Sequence, residues 1–251
     1  MSEALPALHD SVGRLREVVG GLRPEQIRQS AYPSEWTVAD TLSHLGSGAV
    51  ILQRRFEDTV AGRPTDDRFS QSVWDEWNAK PPEEQAAEAL VADAALLESL
   101  ESSTDGQRRD FSFVLGPMQL DFEGFVGLRL AEHVVHTWDV EVAVDPAALL
   151  DEEAVAVMID RLGLVAGFAG KPVGLDAEVH VELHRPERRV TVVLAPDSVR
   201  LDDGVPGADA DLVLPAEAFI RLVYGRLDPE HTPPGTEGAE LDRLRQAFPG
   251  L

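Results

Sequence analysis

Arg129-Leu130-Ala131-Glu132-His133-Val134-Val135-His136-Thr137-Trp138-Asp139-Val140 is the middle of a longer segment, residues 122–144, in which apolar side chains recur at helical spacing. That period marks a helix burying one face. Working outward, earlier segments show the same period. Leu5, Leu8, Val12, Leu15, Val18 and Val19 define a first helix, ended by Gly20-Gly21. After an extended stretch, Ala31-Tyr32-Pro33-Ser34, Thr37 and Asp40 have the spacing of a capping box and open a second helix reaching about Ala61. Gly62-Arg63-Pro64 breaks it. Residues 65–81 read as a polar connection with room for a short helix, and Pro81-Pro82-Glu83-Glu84 open a third helix to about Leu100. The segment 103–120 has no clear period, and its Phe111-Ser112-Phe113-Val114-Leu115-Gly116-Pro117 suits an extended loop crossing the mouth of a bundle. The quoted helix is the fourth. A fifth, Asp151 to Gly167, is closed by Gly170 and Pro172.

Beyond Pro172 the period changes. Val179, Val181 and Leu183 alternate with Glu178, His180, Glu182 and His184, the pattern of a half-buried strand. Arg185-Pro186-Glu187-Arg188 turns it towards Val190–Leu194. Weaker strands follow near 198–202 and 210–214, then a helix from Pro215 to Tyr224 and another from Ala239 to Phe248. Helices first and a small mixed sheet second make an α+β protein. The expected division is a helical bundle over residues 1–170 and a small α+β domain over 171–251.

Composition narrows the function. With 22 Lys+Arg against 45 Asp+Glu the formal charge is -23, and no basic patch interrupts it. A surface of that sign repels phosphate backbones and anionic lipid, so neither nucleic acid nor membrane is an expected partner. No apolar run approaches the roughly 20 residues that span a bilayer, and the N-terminus lacks the order of a signal peptide. The expectation is a cytoplasmic protein, monomeric or a small homo-oligomer. The chain has no cysteine. Disulfides, cysteine-ligated metals and cysteine nucleophiles are excluded, and any thiol chemistry needs a borrowed thiol.

Within the fourth helix Glu132 and His136 are four residues apart and share a face. His44, on the second helix among apolar neighbours, is positioned to meet them from a facing helix. One histidine plus Glu-x-x-x-His gives a His2Glu set with an open fourth position, the pattern of a catalytic zinc site. Asp139, three residues past His136, is a candidate acceptor for its second ring nitrogen. The same spacing also describes an exposed helical ion pair, and a lone His44 also describes a core histidine bonded to a carbonyl. Spacing alone leaves both open. His133 points about 100° away from Glu132 and is a reserve ligand. His180-Val181-Glu182-Leu183-His184 is a rival cluster. At roughly 3.3 Å rise per residue its histidines start about 13 Å apart, which suits the wet face of a sheet better than a single ion. The fingerprints of nucleotide-binding loops, serine-hydrolase elbows and His-Glu-x-x-His metalloproteases are all missing.

Trp36-Thr37-Val38-Ala39-Asp40-Thr41-Leu42-Ser43-His44-Leu45 together with the quoted segment resembles the mycothiol-dependent maleylpyruvate isomerase family. That resemblance implies a DinB-like N-terminal four-helix bundle, a sterol-carrier-like C-terminal domain, and metal ligands at His44, Glu132 and His136. It implies a divalent metal, zinc, and mycothiol as thiol cofactor. The implied activity is isomerisation of maleylpyruvate by thiol addition, rotation and elimination, or thiol transfer to another small-molecule electrophile. The stretch Ala210–Pro215 followed by Phe219–Arg226 resembles the end of the family's C-terminal domain, where an arginine handles substrate. Arg226 is the candidate, with Arg221 a weaker one, since a guanidinium grips a carboxylate with two parallel hydrogen bonds. Two other classes compete: a binding module without catalysis, and a metal-dependent hydrolase with water in the open position.

Overall fold

Thr37 closes its capping box as the sequence requires. The Asp40 amide donates to Thr37 Oγ1 at 3.1 Å and the Thr37 amide to Asp40 Oδ2 at 2.9 Å, so helix α3 starts at a fixed residue. The computed structural model describes residues 3–32, 35–116 and 118–250. Pro33, Ser34 and Pro117, read above as parts of extended segments, lie outside them.

The first compact unit is Met1–Ala148. Its helices are α1 (Ala4–Gly20), the single turn α2 (Pro24–Ile27), α3 (Val38–Val60), α4 (Phe69–Asn78), α5 (Pro82–Glu101), α6 (Asp105–Asp110) and α7 (Phe122–Glu141). Four of them make the expected bundle: α3 packs mainly on α5 and α1 mainly on α7, while the pairs α1/α5 and α3/α7 close the ring. Leu8, Leu15, Leu42, Leu45, Leu96, Leu100, Phe125, Leu130 and Trp138 fill its centre. The polar connection after α3 holds α4, whose Trp77 is buried. The segment 103–120 is not an extended loop. Residues 105–110 are helical, and β1 (Phe113–Leu115) and β2 (Met118–Leu120) pair as an antiparallel hairpin. Phe111 and Phe113 turn inward on Phe125, with Phe56 and Phe122 around them, so this segment plugs the end of the bundle formed by the end of α3 and the start of α7.

The second unit is Leu149–Leu251. A four-stranded sheet of order β5-β4-β3-β6 uses β3 (Ala177–His184), β4 (Arg188–Leu194), β5 (Val199–Asp203) and β6 (Leu212–Pro215), antiparallel except for the β3/β6 pair. The β3–β4 hairpin, the two later strands and the helices α10 (Ala216–Val223) and α11 (Ala239–Ala247) follow the sequence reading. The division at 170/171 does not. Helices α8 (Glu152–Met158) and α9 (Leu162–Ala169), separated by a short 3-10 turn, pack on α10, and α9 also packs on β5. Gly170 is where that packing is tightest: a Cβ there would stand 2.6 Å from the Val199 side chain. The punctuation Gly170-Lys171-Pro172 ends a helix inside the second unit and does not mark its border.

Candidate metal centre

His44 lies two turns into α3, and Glu132 and His136 lie in the second half of α7, at the end of the bundle away from the aromatic plug. The start of α3 is set by the Thr37 box, and that of α7 by Asp121, whose Oδ1 accepts the Gly124 amide at 2.8 Å. Between these fixed starts, the donor atoms converge. His44 Nε2 is 3.3 Å and His136 Nε2 3.6 Å from the same oxygen, Glu132 Oε2, and one donor atom from each of the three residues lies within 4.8 Å of the other two. A tetrahedral ion with bonds of about 2.0–2.2 Å needs donor–donor edges of roughly 3.3–3.6 Å. The spacing and the chemistry of this donor set therefore fit a divalent ion. Among the described residues this is the one His/Cys/Asp/Glu group so arranged.

The surroundings suit that use. His136 Nδ1 is 2.9 Å from Oδ2 of the fully buried Asp139, which assigns the ring proton to Nδ1 and leaves the Nε2 lone pair towards Glu132. Asp139 thus stands where the sequence reading put it. Burial disfavours the Glu132 carboxylate, but hydrogen bonds with His136 and His44 outweigh it, and its pKa is displaced well below the usual carboxylate range. For His136, burial favours the neutral ring, yet the bonds to Asp139 and Glu132 dominate and raise its pKa. Trp36, just before the helix cap, stacks near the His136 ring with centroids 6.1 Å apart and tilts towards His44 at 5.3 Å. His44 and Glu132 are about two-fifths exposed and His136 much less, so the donor set is open on one side.

His133 is no ligand. Fully buried, it meets Ser11 Oγ through Nδ1 at 2.7 Å and faces Asp93 through Nε2 at 3.3 Å. This Ser-His-Asp chain is sealed in the core, where no substrate reaches it. The strand histidines do not form a cluster. His180 Nδ1 bonds Thr191 Oγ1 at 3.2 Å, and His180, Glu182 and His184 line a half-exposed sheet face. Sequence reasoning missed the buried pair of Asp93 with Arg129, whose Nη2 donates to that carboxylate and, at 3.0 Å, to the Leu45 carbonyl. Only its position inside an apolar helix face could have hinted at it. In the second unit, Arg226 is nearly buried and donates from Nη1 to the Tyr224 carbonyl at 2.6 Å. Arg221 is buried on Glu217 and on the His231 carbonyl.

A family model described as mycothiol maleylpyruvate isomerase N-terminal domain matches residues 8–141, just over half of the chain. No curated protein matches it. Two solved structures do: the crystal structure of the mycothiol-dependent maleylpyruvate isomerase, and that of a histidine-to-alanine mutant. Each is 12% identical with a TM-score of 0.65, over 94% of this chain and 95% of the other. At that identity the likeness concerns the fold.

Proposed function

Because the chain belongs to the mycothiol maleylpyruvate isomerase family, we propose that it is a mycothiol-dependent enzyme whose His44, Glu132 and His136 hold one divalent metal ion, zinc. It isomerises a maleylpyruvate-like substrate or transfers the thiol to a related electrophile. The observation that carries this reading is the convergence of His44 Nε2, His136 Nε2 and Glu132 Oε2 at edges of 3.3 and 3.6 Å on the open side of a helical bundle. When bound, such an ion acidifies a thiol in its open position so that a thiolate is available near neutral pH. The chain itself has no cysteine, so the sulfur comes from the cofactor.

The residues divide the remaining work. Glu132 stays ionised and contributes the one negative charge of the donor set. Asp139 fixes the tautomer and the direction of His136. The indole of Trp36 walls one side of the site beside both imidazoles, which keeps the donors apart from bulk water on that flank. Arg226 is proposed to handle the substrate carboxylate. Its bond to the Tyr224 carbonyl gives it a structural use as well, and Arg226→Lys separates the two: substrate handling predicts a raised KM with an unchanged unfolding midpoint, and a purely structural use predicts the reverse.

The test is a metal-replete assay with mycothiol against electrophiles that include maleylpyruvate, beside elemental analysis. About one metal per chain, lost in His44→Ala, and turnover that requires mycothiol are expected. A folded protein without metal affinity rejects the reading. The hydrolase alternative is separated by cobalt substitution: mycothiol shifts the visible spectrum if its sulfur enters the site, and leaves it unchanged if water is the nucleophile.

A further inference from the structure

The helices that carry the donors are not each other's main neighbours. α3 rests chiefly on α5 and α7 chiefly on α1, and α3 and α7 touch far less. Yet the donor set needs His44, on one, and Glu132, on the other, held at a separation good to a few tenths of an ångström. A buried guanidinium spans the gap. Arg129 lies three residues before Glu132, and its Nη2 donates to the carbonyl of Leu45, the residue after His44, at 3.0 Å. The same nitrogen donates to the carboxylate of Asp93 on α5. α3 runs close to this group: a Cβ at Gly48 would stand 3.3 Å from Arg129 Nη1. Asp93 Oδ2 in turn faces His133, the residue between Glu132 and Val134, whose other ring nitrogen is bonded to Ser11 on α1. Arg129 and Asp93 are both nearly inaccessible to solvent.

A buried ion pair is a poor source of stability, since apolar residues of similar volume commonly do as well. What a guanidinium adds is direction, because the two N–H bonds of Nη2 diverge within one rigid plane and so fix the angle between the partners they reach. Here those partners are the backbone beside one donor and a carboxylate that itself abuts the helix turn of another.

We propose that Arg129, held by Asp93, is a positioning residue that sets the separation of His44 from Glu132 across the bundle. The inference rests on the reading of His44, Glu132 and His136 as metal ligands. It is tested by titrating the full-length metal-free protein with cobalt(II), following the visible bands, in wild type, in the double variant Asp93→Leu/Arg129→Met and in Arg129→Lys. The double variant removes both charges and orphans neither. It is expected to keep a cooperative unfolding transition at or above the wild-type midpoint, to bind cobalt about ten-fold more weakly or worse, and to show displaced bands. Wild-type affinity and bands in the folded double variant would overturn the inference. If the double variant does not fold, Arg129→Lys, which keeps the charge but loses the rigid plane that directs the two Nη2 N–H bonds, is held to the same criterion. A wild-type protein that binds no cobalt overturns the metal reading, and the inference with it; wild-type binding with unaffected variants overturns the inference alone.

Discussion

His136 has its two ring nitrogens committed differently, Nδ1 to the buried Asp139 and Nε2 towards Glu132, and two predictions follow from that division. Asp139→Asn keeps the volume but removes the charge that orients the ring and makes Nε2 a better donor. Metal affinity is expected to fall about ten-fold, measured by competition with a chromophoric chelator, with the unfolding midpoint of the metal-free protein as the control for folding. The second concerns pH. The pKa of His136 is raised, so in the metal-free protein its protonated form adds stability that is fully present below the ordinary imidazole value near 6.5 and is lost as pH rises through the raised value. Metal binding has the opposite sign, because it needs the unprotonated ring. The pKa of Glu132 is lowered, so its carboxylate remains available over the same window. The rise in Tm on adding zinc is therefore expected to shrink as pH falls from 8 to about 5.5. Paired melting curves with and without metal measure it, and an increment independent of pH would rule out His136 as a ligand.

At the scale of the element, α3 is tied to its surroundings at both sides of His44. The Thr37 box fixes its first turn, and two residues after His44 the helix passes against α4 and α5 with no room for a side chain. A Cβ at Gly46 would stand 2.2 Å from the Trp77 ring and 2.9 Å from the Ala89 Cα. In a free helix alanine is favoured over glycine by about 1 kcal/mol, but relieving a clash with backbone costs about 1–3 kcal/mol or more. Gly46→Ala is expected to lower stability in denaturant titration and to weaken metal binding, since α3 must shift and carry His44 with it. An unchanged or increased stability would mean that α4 is loosely held. The helix starts and the shared face of Glu132 and His136 were legible because a cap and an i, i+4 pair depend on local spacing, whereas grouping His44 with them as a metal site drew on the family resemblance. The Arg129–Asp93 pair was not. Charged residues on a helix ordinarily read as a solvated face, and nothing local reveals that two of them, on different helices, meet in the core. The hairpin after α6 was missed for a related reason: Phe111 and Phe113 turn inward on a cluster built from Phe56 of α3 and from Phe122 and Phe125 of α7, and no periodicity encodes that.

At the scale of the whole molecule, the division into two units was the least legible feature. Gly170 and Pro172 are strong local stops, and α8 and α9 look like a continuation of the helical half of the chain. Packing assigns them otherwise: Val155, Met158, Ile159, Leu162, Ala166 and Ala169 are buried, and the elements around them are α10 and β5, which come later in sequence. No helix of the described residues is long and apolar enough to cross a membrane. Two truncations discriminate between the borders. A chain ending at Ala148 keeps all three donors, Asp139, the Arg129–Asp93 pair and the Ala148 carbonyl that accepts from Trp138 Nε1 at 2.9 Å. It is expected to unfold cooperatively and to bind one zinc. A chain ending at residue 170 carries α8 and α9 without the helix and strand that cover them, and exposes a contiguous apolar surface of the kind that drives association. Size-exclusion chromatography and binding of a hydrophobic dye are expected to show the longer piece aggregating and the shorter one monodisperse. The reverse outcome, with 1–170 soluble and 1–148 unfolded, would return both helices to the bundle and make the glycine–proline punctuation a true border.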